Sequence, residues 1–187
     1  MNPQTTPTKF SSPALELPTG AWRPLAGVGH VGFEVKTFWG LATVRGRFSL
    51  YDGTLRIGAD HASAELTIDA TSIDTGNAFR DRHLRSAAFF RTDEHRSVSF
   101  RSNAITRMTG GLVIAGELMI GETAIPLELP VDVGRDRAGR YVLRTRATVS
   151  RRVANVAWNR LGMIRGNAIL TVELHLAPEL TVVRGES

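Results

Sequence analysis

From Val31 the chain alternates apolar and polar side chains with a period of two, Val31, Phe33 and Val35 against Gly32, Glu34 and Lys36. That rhythm puts one face of a strand in a core and the other in water. It returns at Arg45 to Leu50 and at Thr54 to Ile57, with Asp52-Gly53 between them as the expected turn or bulge. Ala64, Leu66 and Ile68 then alternate with Glu65, Thr67 and Asp69. Further runs carry Val98 and Phe100, Leu112 and Ile114, and Leu118 and Ile120 before Gly121-Glu122. Ile125, Leu127, Leu129 and Val131 share a face, as do Tyr141, Leu143, Thr145, Ala147 and Val149 beyond Arg137-Ala138-Gly139. Leu170, Val172, Leu174 and Leu176 close the series, and the whole is read as eight strands.

Only Asn77 to Ser86 reads as a helix, with Asn77 as N-cap and Asp81 four residues before Arg85. It is expected between the third and fourth strands. Alternating strands without a βαβ rhythm predict an all-β fold, and eight of them suffice for a closed antiparallel barrel that leaves no aggregation-prone edge. Residues 1–20, rich in threonine and proline, are expected to be a mobile tail, 21–178 a single β-barrel domain, and 179–187 a short C-terminal tail.

Composition narrows the function. With 187 residues, 42% of them hydrophobic, the chain supports one sizeable core. No apolar run approaches the roughly 18 residues of a transmembrane helix, and the first residues carry neither a basic segment nor an apolar one of the kind that begins a secretory signal, so a cytoplasmic protein is expected. Zero cysteines exclude disulfides, thiol nucleophiles and thiolate metal sites. The net charge of +5 comes from arginines scattered between Arg23 and Arg184, with lysine only at positions 9 and 36. Such dispersion lacks the gathered cations of a phosphate-binding track, so no nucleic-acid partner is expected.

Five blocks in order resemble the YceI-like family of polyisoprenoid-binding proteins. They are VGFEVKTFWGLATVRGRF from Val31, ATSIDTGNAFRDRHLRSAAFF from Ala70, SVSFRSNAI from Ser97, GELMIGETAIPLEL from Gly116 and AWNRLGMIRGNAILTVEL from Ala157. The resemblance covers about Trp22 to Leu176, and its most specific block joins SIDTG to RDRHLRS and a Phe-Phe pair. It implies a lipocalin-like barrel carrying a long apolar ligand, such as a polyisoprenoid, an isoprenoid quinone or another amphiphilic lipid, and it admits a homodimer. The chain departs from the family pattern at Leu25 to Gly29, Thr37, Arg96 and Val153 to Asn155.

The strand candidates for the ligand's surroundings are Phe33, Val35, Phe48, Leu66, Ile68, Phe100, Leu118, Leu127, Leu129, Leu170 and Val172. Phe79, Leu84, Phe89 and Phe90 are added from a helix expected to cover one end, with Phe79 and Leu84 pointing inward, and Trp158 from a possible mouth. A structural or interaction barrel, its core filled by side chains and without a native ligand, remains the alternative. Asp81, His83 and Ser86 have the composition of a hydrolase triad, but residues two apart on a helix diverge and no oxyanion-type glycine motif adjoins Ser86, so no catalytic residue is assigned. The five histidines lack paired metal-ligand spacing. The reading is of a non-catalytic binding protein with no metal and no cofactor.

Overall fold

The computed structural model describes residues 17–37, 42–87, 89–149 and 164–179. Among these residues ten strands, a 3-10 turn (Ala70–Ser72) between β4 and β5, and one α-helix follow in order: β1 (Gly20–Thr37), β2 (Ala42–Phe48), β3 (Tyr51–Ile57), β4 (Ala62–Asp69), β5 (Ile73–Asp74), α1 (Ala78–Arg85), β6 (Ser97–Met108), β7 (Gly111–Ile120), β8 (Thr123–Arg135), β9 (Tyr141–Val149) and β10 (Ile164–Pro178). Every pairing is antiparallel. Eight strands form a closed ring in the order β1, β3, β4, β6, β7, β8, β9, β10, with β10 returning to β1.

The long β1 makes this possible. Its beginning, Gly20 to Trp22, pairs with Ile57 to Leu55 of β3, while Val31 to Thr37 pair with Phe48 to Ala42 of β2. On its other edge it runs beside β10, from Trp22 opposite Pro178 to Thr37 opposite Ile164. The short β5 adds to β2 through Arg47–Asp74 and Phe48–Ile73. The eight-stranded barrel therefore stands, with two accessory strands outside the ring. These displace the helix in the full count: α1 follows β4 and β5 and precedes β6.

Two local expectations are corrected. Asp52-Gly53 lies inside β3, where Gly53 faces Leu66, and the chain reverses at Ser49-Leu50 instead. A Cβ at Gly53 would sit 2.3 Å from the Glu65 carbonyl oxygen, so glycine serves close strand approach here. Leu17, assigned to the N-terminal tail, is buried in the core, and the neighbouring Pro18 carbonyl accepts a hydrogen bond from the Trp22 indole. The helix matches its expected limits. Asn77 caps it by accepting from the Arg80 amide at 3.0 Å, and Ser86 ends it.

Candidate functional site

The barrel interior is not filled by its side chains. It holds a cavity of about 150 Å³, with room for roughly ten waters. Its wall includes Phe33, Phe48, Leu66, Ile68, Phe90, Phe100, Leu118, Leu127, Leu129, Leu170 and Val172, all singled out from sequence. Along β10 it runs from Leu170 to Leu176, about 20 Å of strand at ~3.3 Å per residue.

The remaining candidates fall elsewhere. Val35 is buried in the core but does not line the cavity, because it lies beyond Phe33 toward the end of β1. Leu84 packs partly buried against the core, and Phe89 sets its ring edge-on to His83 at 4.9 Å, outside the cavity wall. Phe79, expected to point inward, is 79% exposed. The reason lies in the helix: the residue that α1 buries is Asp81, and Phe79, two positions away, is turned to the other side. Trp158 lies outside the described residues. The sequence reading left out Val31, Leu55, Ile114, Ile120, Val131, Leu143, Leu174 and Leu176, which also face the cavity. Most of these continue the period-two rows already visible in the chain and could have been taken from them.

Two glycines shape the aromatic part of the wall. A Cβ on Gly46 would lie 2.5 Å from the Phe33 ring, and one on Gly116 would lie 2.8 Å from the Phe100 ring. Each ring thus lies across the bare backbone of the neighbouring strand, a close approach that only glycine permits. Phe48 bridges Phe33 and Phe90 with both ring centroids at 5.9 Å, carrying the aromatic lining up to the segment after the helix. Toward the Leu176 end of β10, Trp22 and Tyr141, both buried, meet edge to face at 5.0 Å. The Arg135 guanidinium stacks over Tyr141 at 4.1 Å.

The polar groups of the helix hold structure in place. Asp81 Oδ1 accepts from the Thr75 amide at 3.0 Å and from its hydroxyl at 2.5 Å. Arg80 donates to the Thr75 hydroxyl and carbonyl, and Arg85 to the carbonyls of Thr71 and Ile73, so the helix is tied to the strand rim. Ser86 donates to the His83 carbonyl. Asp81, His83 and Ser86 therefore form no relay through these bonds.

At the same end of β10, His175 lies between two carboxylates, Asp136 at 2.9 Å from Nδ1 and Glu173 at 3.1 Å from Nε2. Burial acts to raise the Asp136 pKa, but the Arg140 amide, His175, the Arg140 guanidinium and the Ala138 amide outweigh it and hold the carboxyl well below its ordinary range. Glu173 is lowered by its hydrogen bonds from Arg144 and then His175. Among the described residues no group of three or more His, Cys, Asp or Glu side chains converges as a metal site. No helix among them is long and apolar enough to cross a membrane.

Comparison with known proteins agrees with this architecture. The family model described as YceI-like domain matches residues 22–176. A UPF0312 protein of Pectobacterium atrosepticum is 31% identical over 117 residues, which cover 59% of this chain and 60% of the relative. The protein YceI of an Escherichia coli O17:K52:H18 strain is 33% identical over 102 residues, 53% of each chain. The matches thus span little more than half the length of these relatives. Among solved structures, BcnA of Burkholderia cenocepacia superposes with a TM-score of 0.70 at 19% identity, covering 82% of this chain and 99% of that one. A polyisoprenoid binding domain from Saccharophagus degradans superposes with a TM-score of 0.62 at 15% identity, covering 84% and 98%. With a match running the length of the closed barrel, from the first turns of β1 to the last of β10, this chain belongs to the YceI-like family.

Proposed function

We propose that this protein is a non-catalytic carrier that holds one long apolar ligand, an isoprenoid or another amphiphilic lipid, inside its barrel. The observation that carries the reading is the apolar cavity enclosed by the ring of strands. A core meant only for stability packs to the density of an organic crystal and leaves few cavities larger than a water. Here inward leucines such as Leu127, Leu129 and Leu170 remain only partly buried because they border internal space. The Saccharophagus neighbour, described as polyisoprenoid binding, supports the same ligand class.

Room for about ten waters corresponds to roughly 300 Å³ of ligand, the lower end of small-molecule sites. That volume suits one chain rather than two. Burying about 400 Å² of apolar ligand surface at ~25 cal/mol per Å² contributes on the order of 10 kcal/mol before the costs of association.

The test is mass spectrometry of an organic extract from purified protein, paired with binding of a fluorescent isoprenoid analogue. A co-purifying lipid lost from a folded Leu127→Trp variant is the expected result. No extractable lipid together with no analogue binding would overturn the reading.

A further inference from the structure

Around the ring the ladder between β1 and β3 is the shortest, three residue pairs running from Gly20 opposite Ile57 to Trp22 opposite Leu55. Pairing on this edge of β1 resumes only at Val31, opposite Phe48 of β2. Between these points β1 passes residues 49–54 without a ladder. Its other edge is interrupted as well, because residues 25–28 stand against His175 alone, between the pairs Pro24 with Leu176 and Gly29 with Leu174. Gly27 at φ 72° and Gly29 at φ 91° supply the backbone bends that such a bulge needs. Residues 25–28 are thus a piece of barrel wall that, among the described residues, is laddered to neither neighbour.

Two side-chain bonds cross the unladdered interval among the described residues. Arg23 pairs with Asp52, but both side chains are exposed, where an ion pair contributes little. The Tyr51 hydroxyl donates to the Val28 carbonyl at 3.0 Å from a partly buried position, and burial raises its pKa. Leu50, next to it, turns its backbone the other way, giving its amide to Ser72 and accepting from the Asp69 amide. The cavity reaches this interval from within, since Pro24 of β1 and Thr54 of β3 both line it. Outside, the rim is uncharged from Pro24 to Gly29 and includes the exposed Ala26 and Leu50.

We propose that this interval is a side portal through which the ligand enters and leaves, and that the bond from Tyr51 to the Val28 carbonyl is its latch. The proposal rests on the carrier reading above. Opening a fully laddered seam breaks several backbone hydrogen bonds together, whereas opening this one gives up one partly buried bond and one exposed ion pair. An apolar chain passing here meets leucine, alanine and valine and leaves no charge stripped of water. A latch that closes both the empty and the loaded barrel sets the barrier alone, so its loss quickens entry and exit by the same factor and leaves affinity as it was.

The experiment is stopped-flow exchange of a fluorescent isoprenoid analogue, with association and release measured separately. Tyr51→Phe keeps the ring and removes the hydroxyl, and both rates should rise roughly fivefold with Kd unchanged. Because the chain has no cysteine, a bulky maleimide can be attached at one exposed site at a time, through Ala26→Cys on the rim, Ala87→Cys after α1, or Ala138→Cys in the hairpin between β8 and β9. The label at position 26 should slow exchange severalfold, and the labels at 87 and 138 should leave it as in the wild type. Exchange slowed from 87 or 138 and not from 26 would overturn the portal and place the route at that end of the barrel. Rates unchanged by Tyr51→Phe, or release that quickens alone while binding weakens, would overturn the latch. No binding of the analogue to the wild type would overturn the carrier reading, and the portal with it. The labelled variants, all at exposed positions, decide the portal whatever the stability of Tyr51→Phe.

Discussion

Replacing Phe100 with alanine separates the wall of the cavity from the rest of the core. Phe100 is 8% exposed, sits between Leu66 of β4 and Leu118 of β7, and lies over the backbone of Gly116. Truncating a buried phenylalanine costs about 3–5 kcal/mol. The lower value applies here, because one face of the ring borders the cavity and has fewer dispersion contacts to lose. At 2–4 °C per kcal/mol for a domain of this size, a loss of about 3 kcal/mol lowers Tm by roughly 6–12 °C, within what a typical domain survives. The control is Ile125→Ala, which removes a side chain 1% exposed and outside the cavity wall at a similar cost of about 2–5 kcal/mol. Differential scanning fluorimetry reads stability, and stopped-flow release of a fluorescent isoprenoid analogue reads retention. Phe100→Ala should speed release severalfold, and Ile125→Ala should leave it unchanged. Equal release from both variants would show that the ring does not touch the ligand and would refute the placement of the site.

Gly53→Ala should destabilise by about 1–3 kcal/mol in urea titration, because its Cβ meets the Glu65 carbonyl oxygen at 2.3 Å. Asp81→Ala leaves the Thr75 amide and hydroxyl without their acceptor and should cost about 1–3 kcal/mol, seen as raised hydrogen exchange around β5 and α1. Phe79→Ala, on a side chain facing solvent, should stay within about 0.5 kcal/mol of the wild type by the same urea measurement, whereas Phe90→Ala should lose about 3–5 kcal/mol. Asp69 and Glu173 have pKa values held below the ordinary range, by Thr71 in the first case and by Arg144 and His175 in the second. Their contribution is complete above their unfolded values of about 4 and disappears as pH falls through the folded values, so Tm should be level near neutrality and drop below about pH 4. Glu173→Gln should make that acid drop shallower, modestly so because the side chain is 29% exposed.

Much of the barrel was legible because one physical rule, burial of alternate side chains, writes itself along each strand. Phe33, Leu66, Phe100, Leu127 and Leu170 were identifiable by parity alone, and the structure brings all five to one cavity. Asn77 was equally legible, since capping is a local bond to the Arg80 amide. What parity cannot supply is how neighbouring strands meet. Gly53 next to an aspartate has the chemistry of a turn, and only its partner β4 shows that it serves close approach. Phe79 was misplaced because its orientation depends on Asp81, a charged residue buried through bonds to Thr75 that no hydrophobic pattern reveals.

The ring is completed by pairing between its first and last strands, Trp22 beside Pro178 and Val31 beside Val172. During synthesis the interior therefore stays open along a seam until β10 leaves the ribosome, and the most distant parts of the chain must meet before the cavity exists. Such high contact order favours slow, cooperative folding. The same seam makes the barrel a candidate for circular permutation: a short linker joining the neighbourhoods of Trp22 and Pro178, with new termini cut into the exposed Arg137–Gly139 hairpin, preserves every inter-strand ladder while changing which strands emerge last.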